Sequence, residues 1–149
     1  MHVQLDQSIK IGDTKDPTVL AFSDTERFSI LIPAEVKRAC LRELGARGKS
    51  GTTPYLQLLA VALFLLLKGH LDKITLITID LEYPGHGRGI KEHLLNLFTR
   101  AGLTFSGEMI RFQRIGRRSP AHDKALYTLR GELQPDRTIT TKELLAQFK

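Results

Sequence analysis

Two carboxylates, Asp80 and Glu82, close the apolar strand-like run Ile74–Asp80, which then opens into the Gly-rich turn Gly85–Gly89. Parallel strands covered on both faces read as continuous Val/Ile/Leu runs, and ligands gather at their carboxyl ends. A carboxylate at that edge stands where a metal ion or a phosphate is held. Three residues far away in sequence, Asp6, Gln57 and His122, are the natural partners for it. Paired carboxylates repel strongly unless a cation or a proton compensates, and their oxygens are preferred ligands of Mg²⁺ and Mn²⁺. This combination points to metal-dependent chemistry on nucleic acid, or to a degenerate relative of such a site.

The elements that would position these residues can be read along the chain. Val3–Ile11, Thr18–Ser23 and Phe28–Ile32 are strand-like and joined by short turns, which predicts an antiparallel meander. Pro33 precedes a helix over Ala34–Leu44 with Val36, Cys40 and Leu44 on one stripe, and Gly45–Thr53 is a basic loop. A second helix spans Pro54–Lys68, with Thr53 as N-cap and Pro54 in its first position. Strand Ile74–Asp80 leads to a helix over Gly89–Arg100 whose Ile90, Leu94, Leu97 and Phe98 form an apolar stripe. Strand Met109–Ile115 follows. Ser119-Pro120 then caps a helix running to about Arg130, and Thr140 with Glu143 fits a capping box for a last helix ending near Phe148. Asp6 thus lies mid-way along the first strand, Asp80 ends the fourth, and His122 is in the first turn of the helix after the fifth. Right-handed crossovers lay the fourth strand parallel to the first. The expected fold is one α/β domain over residues 1–149, a mixed five-stranded sheet with helices on both faces.

Bulk properties restrict the partners. The chain has 149 residues, a single cysteine, 42% apolar residues and a formal net charge of +6. One Cys40 forms no intramolecular disulfide and fits a reducing compartment. The basic balance favours a polyanionic partner. The apolar run Leu58–Leu67 is too short for a membrane span, which needs roughly 20 residues, and is read as a buried core helix. The opening MHVQLDQSIK lacks the layout of a signal peptide, so a cytoplasmic protein is expected. Arg111, Arg114, Arg117, Arg118 and Lys124 are expected to cluster around the fifth strand and the turn after it, where they could hold the phosphates of a bound strand.

On these residues the chain resembles the ribonuclease H-like superfamily. Asp6-Gln7-Ser8 is similar to the Asp-x-Ser of the family's central first strand, and Asp80-Leu81-Glu82-Tyr83 to its strand-four motif. Ala121-His122-Asp123-Lys124-Ala125 is similar to the last-helix motif, with His122 in the ligand position, a variant known from Argonaute-type sites. Thr53–Leu63 resembles the first core helix, but Gln57 stands where an acidic residue is expected. The resemblance spans roughly Val3 to Arg130. It implies phosphodiester hydrolysis with Mg²⁺ or Mn²⁺, two ions about 3.5–4 Å apart activating a water and stabilising the leaving oxygen. Asp6, Asp80 and His122 would be catalytic ligands, joined by Gln57, Glu82 and Asp123. A neutral amide offers an oxygen but no charge, so Glu82, Asp123 or the more distant Glu43 would have to compensate. His122 near a helix start is kept neutral by the helix dipole, as a ligand must be.

Other motifs fail on spacing. Gly85–Gly89 (GHGRG) has neither a Walker ending nor the dinucleotide GxGxxG pattern, and His86 and His93 are too far apart for a helical zinc pair. No Gly-x-Ser-x-Gly elbow exists, and Cys40 has no evident His partner. Two readings of the same fold follow: a metal-dependent nuclease on RNA, RNA–DNA hybrid or structured DNA, or a catalytically inactive domain that binds nucleic acid or a protein partner. A third is an unrelated α/β domain whose strand-end carboxylates belong only to a turn. A homodimer is compatible with all three.

Overall fold

The computed structural model describes residues 1–49, 51–80, 83–115 and 119–148. Its elements run β1 (His2–Ser8), β2 (Thr18–Ser23), β3 (Arg27–Ile32), α1 (Ala34–Ala46), α2 (Thr53–Leu67), β4 (Leu76–Asp80), α3 (Gly87–Arg100), β5 (Ile110–Gln113), α4 (Pro120–Leu129), β6 (Arg137–Thr138) and α5 (Thr141–Leu145). The sheet order is β5-β4-β1-β2-β3-β6. β1, β2 and β3 form the antiparallel meander, while β4 runs parallel to β1 and β5 parallel to β4.

The sheet has six strands, not five. The extra strand is two residues long and pairs parallel to β3, Ile30 with Arg137 and Leu31 with Thr138. Two residues show no period, so the sequence pattern gives no strand there. The Asp136 carboxylate sets it in place by accepting the Ser29 N–H at 2.7 Å.

The first strand also ends earlier than its apolar pattern suggested. Ile9 has φ 66°, a left-handed conformation that a β-branched residue rarely takes, and it stops the ladder after Ser8. Side chains of the flanking strands hold the reversal. Gln7 accepts the Ile11 N–H at 3.1 Å, and the Thr18 hydroxyl donates to the Ile9 carbonyl at 3.0 Å.

Strand periodicity divides the sheet into two unlike faces. Val3, Leu5, Leu20, Phe22, Ile30 and Ile77 are among the buried apolar residues of one face, which is covered by α1, α2 and α3. α2 is apolar all round, and Leu58 through Leu67 are all buried, as a helix at the centre of a core must be. Its N-cap is Thr52, one residue before the expected Thr53, with no side-chain capping bond. α3 buries the expected stripe of Ile90, Leu94, Leu97 and Phe98. α1 buries Val36, Cys40 and Leu44, and also Lys37, which is fully enclosed. The Lys37 ammonium donates to the Asp13 carbonyl and, at 2.9 Å, to the Thr18 hydroxyl, tying α1 to the β1–β2 loop. Burial lowers its pKa to about 8.

The other face carries α4, over β1, β2 and β3. Small Val19 and Ala21 meet Ala125 there, letting the helix approach closely. No helix of the described residues is long and apolar enough to cross a membrane.

Candidate active site

Parallel register puts Gln4 beside Thr78 on the α4 face and Leu5 beside Ile79 on the opposite face. One step further along both strands, Asp6 and Asp80 come abreast on the same face, because side chains alternate with period two. Asp80 is in turn in register with Gln113 on β5. The negative charge of Asp80 is felt at Asp6. The two carboxylates are neighbours on the central strands, at the carboxyl end of β4.

α4 brings the third group. Ser119 is its N-cap, with the side-chain oxygen accepting the Ala121 N–H at 3.2 Å. The same hydroxyl donates to Gln4 Oε1 at 2.8 Å, so the cap also fastens the helix start to β1. Two residues along the same pleat from Gln4, Asp6 Oδ2 lies 2.9 Å from His122 Nδ1. Asp6 Oδ1 accepts the Gln7 N–H at 2.8 Å. With Asp6 ionised, its Oδ2 accepts a hydrogen bond from Nδ1–H in the tautomer whose lone pair is on Nε2.

Asp6 is 7% exposed. Burial holds its carboxyl above the ordinary value of 3.8; the hydrogen bond from His122 opposes the rise and the charge of Asp80 adds to it. Asp80 is half-buried, and its Oδ1 accepts the Ile115 N–H at 2.9 Å. That bond turns the chain leaving β5 back over the strand ends. Asp6 and Asp80, with Leu59 and Leu63 of α2, Ile79, Tyr83 and Phe112, line a cavity of about 20 Å³ at the same strand ends. It has room for about one water.

Not every candidate joins this group. Gln57 lines a different cavity, between α1, α2 and α3. On a helix, residues two apart are about 200° apart in azimuth, so the stripe of Leu59 and Leu63 turns Gln57 away from the strand ends. The Gln57 side-chain oxygen is buried without a hydrogen-bond partner among the described residues. Glu43 is paired with Arg47 at 3.0 Å on the exposed side of α1. Asp123 is exposed in the first turn of α4. Glu82, Arg117 and Arg118 lie outside the described residues. Among the described residues, no three His, Cys, Asp or Glu side chains are grouped as a metal centre.

The basic cluster divides. Arg111 and Arg114 are exposed on and just after β5, and Arg111 is in register with Thr78. Lys124 instead reaches Asp136 at 3.6 Å, which is bound to β3 at the opposite side of the sheet from β5. It sits two residues beyond His122, and the turn of the helix carries it towards β6.

Sequence reasoning missed Gln4, whose bond to the expected cap residue Ser119 aligns α4 with β1, and Gln113, beside Asp80. The i,i+2 spacing of Gln4 and Asp6 was the available signal for the first. No known family model, curated protein or solved structure matches this chain.

Proposed function

We propose that this chain is a ribonuclease H-like, metal-dependent nuclease that hydrolyses phosphodiesters of RNA, RNA–DNA hybrid or structured DNA. The observation that carries the reading is the 2.9 Å contact of Asp6 with His122 and the charge of Asp80 acting on Asp6, from β1, α4 and β4. The three do not form a metal group as they stand, so a cation would have to draw them together. The order β5-β4-β1-β2-β3, with a meander followed by two parallel strands, supports the fold.

The donor types suit a hard divalent cation: two carboxylates, one with its proton affinity raised by burial and then by the charge of the other, beside an imidazole. Asp6, Asp80 and His122 are the residues that would hold it. Bound there, the cation supplies Lewis acidity towards the phosphodiester and charge to offset both carboxylates. In the free site Asp6 Oδ2 is engaged by His122 Nδ1, a contact that an ion held by both residues would replace. Asp80 is held by the Ile115 amide, which fixes one oxygen and leaves the other for the site. Arg111 and Arg114, exposed on the β5 side that α4 leaves uncovered, would take the flanking phosphates. The net charge of +6 draws in a polyanion.

A second reading, a catalytically inactive domain that binds nucleic acid or a protein partner, is favoured by the orientation of Gln57. Incubation with Mn²⁺ and labelled RNA–DNA hybrid, single strands and a four-way junction separates the two. Cutting of at least one substrate, lost in Asp80→Asn, is the expected result. Retained binding in a gel-shift assay with no cutting of any substrate would leave only the inactive domain.

A further inference from the structure

The helical layer holds a second site, independent of the nuclease reading. Where α1, α2, α3 and the chain after α5 converge, there is a groove of about 540 Å³. That volume lies in the range of small-molecule sites, roughly 300–1,000 Å³. Its floor is apolar, formed by Leu44, Val61, Leu97 and Phe148. Its rim is cationic: Arg47, Lys49 and Arg100 line it, and no Asp or Glu is among the described lining residues.

Two of these cations already engage oxygen acceptors at the rim. Arg47 donates to the Phe148 carbonyl, and Arg100 donates to the Gln147 carbonyl at 2.6 Å. Arg47 also meets Glu43, whereas Lys49 brings a third charge from the loop after α1. Gln57 lies alongside with its buried oxygen unsatisfied. The last torsion of a Gln side chain is broad, so a small rotation presents the amide to a ligand donor.

We propose that this groove binds a small organic anion: a phosphate, sulfonate or carboxylate on the cationic rim, carried by a hydrophobic body on the Leu44–Val61–Leu97 floor. Charge complementarity selects the head group and the apolar floor selects the body.

The test is a fluorescence titration of the full chain with anilinonaphthalene sulfonate, which has an anionic head, an aromatic body and an N–H donor. Saturable binding of one equivalent, displaced by phenyl phosphate, is expected. Lys49→Glu should weaken it by about two- to fivefold, on the scale of an exposed charge contact. Arg88→Glu, the same charge change at a fully solvated position outside the groove, should leave it unchanged. Circular dichroism melts of the variants check that the fold is intact. Three outcomes overturn the proposal: no saturable binding, equal weakening by both variants, or equally tight binding of uncharged phenylnaphthylamine. Displacement by inorganic phosphate as effective as by phenyl phosphate overturns the role of the floor.

Discussion

The two faces of the sheet have opposite compositions and do different jobs. Towards α2 the strands present Val3, Leu5, Phe22, Ile30 and Ile77, all fully buried or nearly so. Towards α4 they present Gln4, Asp6, Thr78, Asp80, Arg111 and Gln113 from β1, β4 and β5, with Val19, Ala21 and Leu31 where the helix crosses β2 and β3. The first face contributes stability by removing apolar surface from water. The second accepts the cost of a desolvated carboxylate beside a like charge, which folding alone would not retain. Perturbed ionisation of this kind concentrates at functional sites. Stability and chemistry are kept apart by a single pleat: neighbouring residues such as Leu5 and Asp6 belong to different regimes.

Substitution on each face tests that separation. Leu63→Ala, on the fully enclosed helix, is expected to cost about 2–5 kcal/mol in urea denaturation, since the packed core closes only partly around the void. Ser119→Ala removes both the α4 cap and the bond to Gln4, and should cost about 1 kcal/mol. It should also reduce any activity that needs His122 beside Asp6. A full-sized core loss from Ser119→Ala would show that α4 is part of the main core after all.

Asp6→Asn should change stability least, and in the opposite direction. Because the folded-state pKa of Asp6 is raised, the native protein binds the proton more tightly than the unfolded chain. The associated stability is fully present below the ordinary value of 3.8 and is lost as pH rises through the elevated folded value. Wild-type stability should therefore fall relative to Asp6→Asn across that interval, and the variant should be at least as stable at neutral pH. Parallel denaturation curves at several pH values measure this. An Asp6→Asn variant that is less stable at every pH would make Asp6 a structural residue.

The legible parts of the chain were those governed by strong local signals. The continuous apolar run Leu58–Leu67 announced a buried helix, and the spacing of Ile90, Leu94, Leu97 and Phe98 gave the inner face of α3. Ser119 and Thr140 cap their helices as their types require. The pairing of Asp6 with His122 was an expectation of the motif resemblance, and the two side chains lie 2.9 Å apart. What escaped depended on tertiary partners. β6 exists because Asp136 is held at Ser29, and β1 stops where Ile9 turns left-handed between two side-chain hydrogen bonds. Lys37 is buried because a carbonyl and a hydroxyl receive its ammonium. Gln57 was read from its place in a motif, whereas its azimuth on α2 decides which cavity it lines. Lys124 followed the same rule on α4.

The contact between His122 and Asp6 joins residues 116 positions apart. Closing so long a loop carries an entropic cost that is met only once much of the fold is in place. During synthesis, β1 through β3 and α2 can emerge and begin to pair while α4 is still unmade. The carboxylates of β1 and β4 therefore exist before the imidazole that completes their group. Whatever this site does, it switches on late in the life of the nascent chain, when the helix that carries His122 docks.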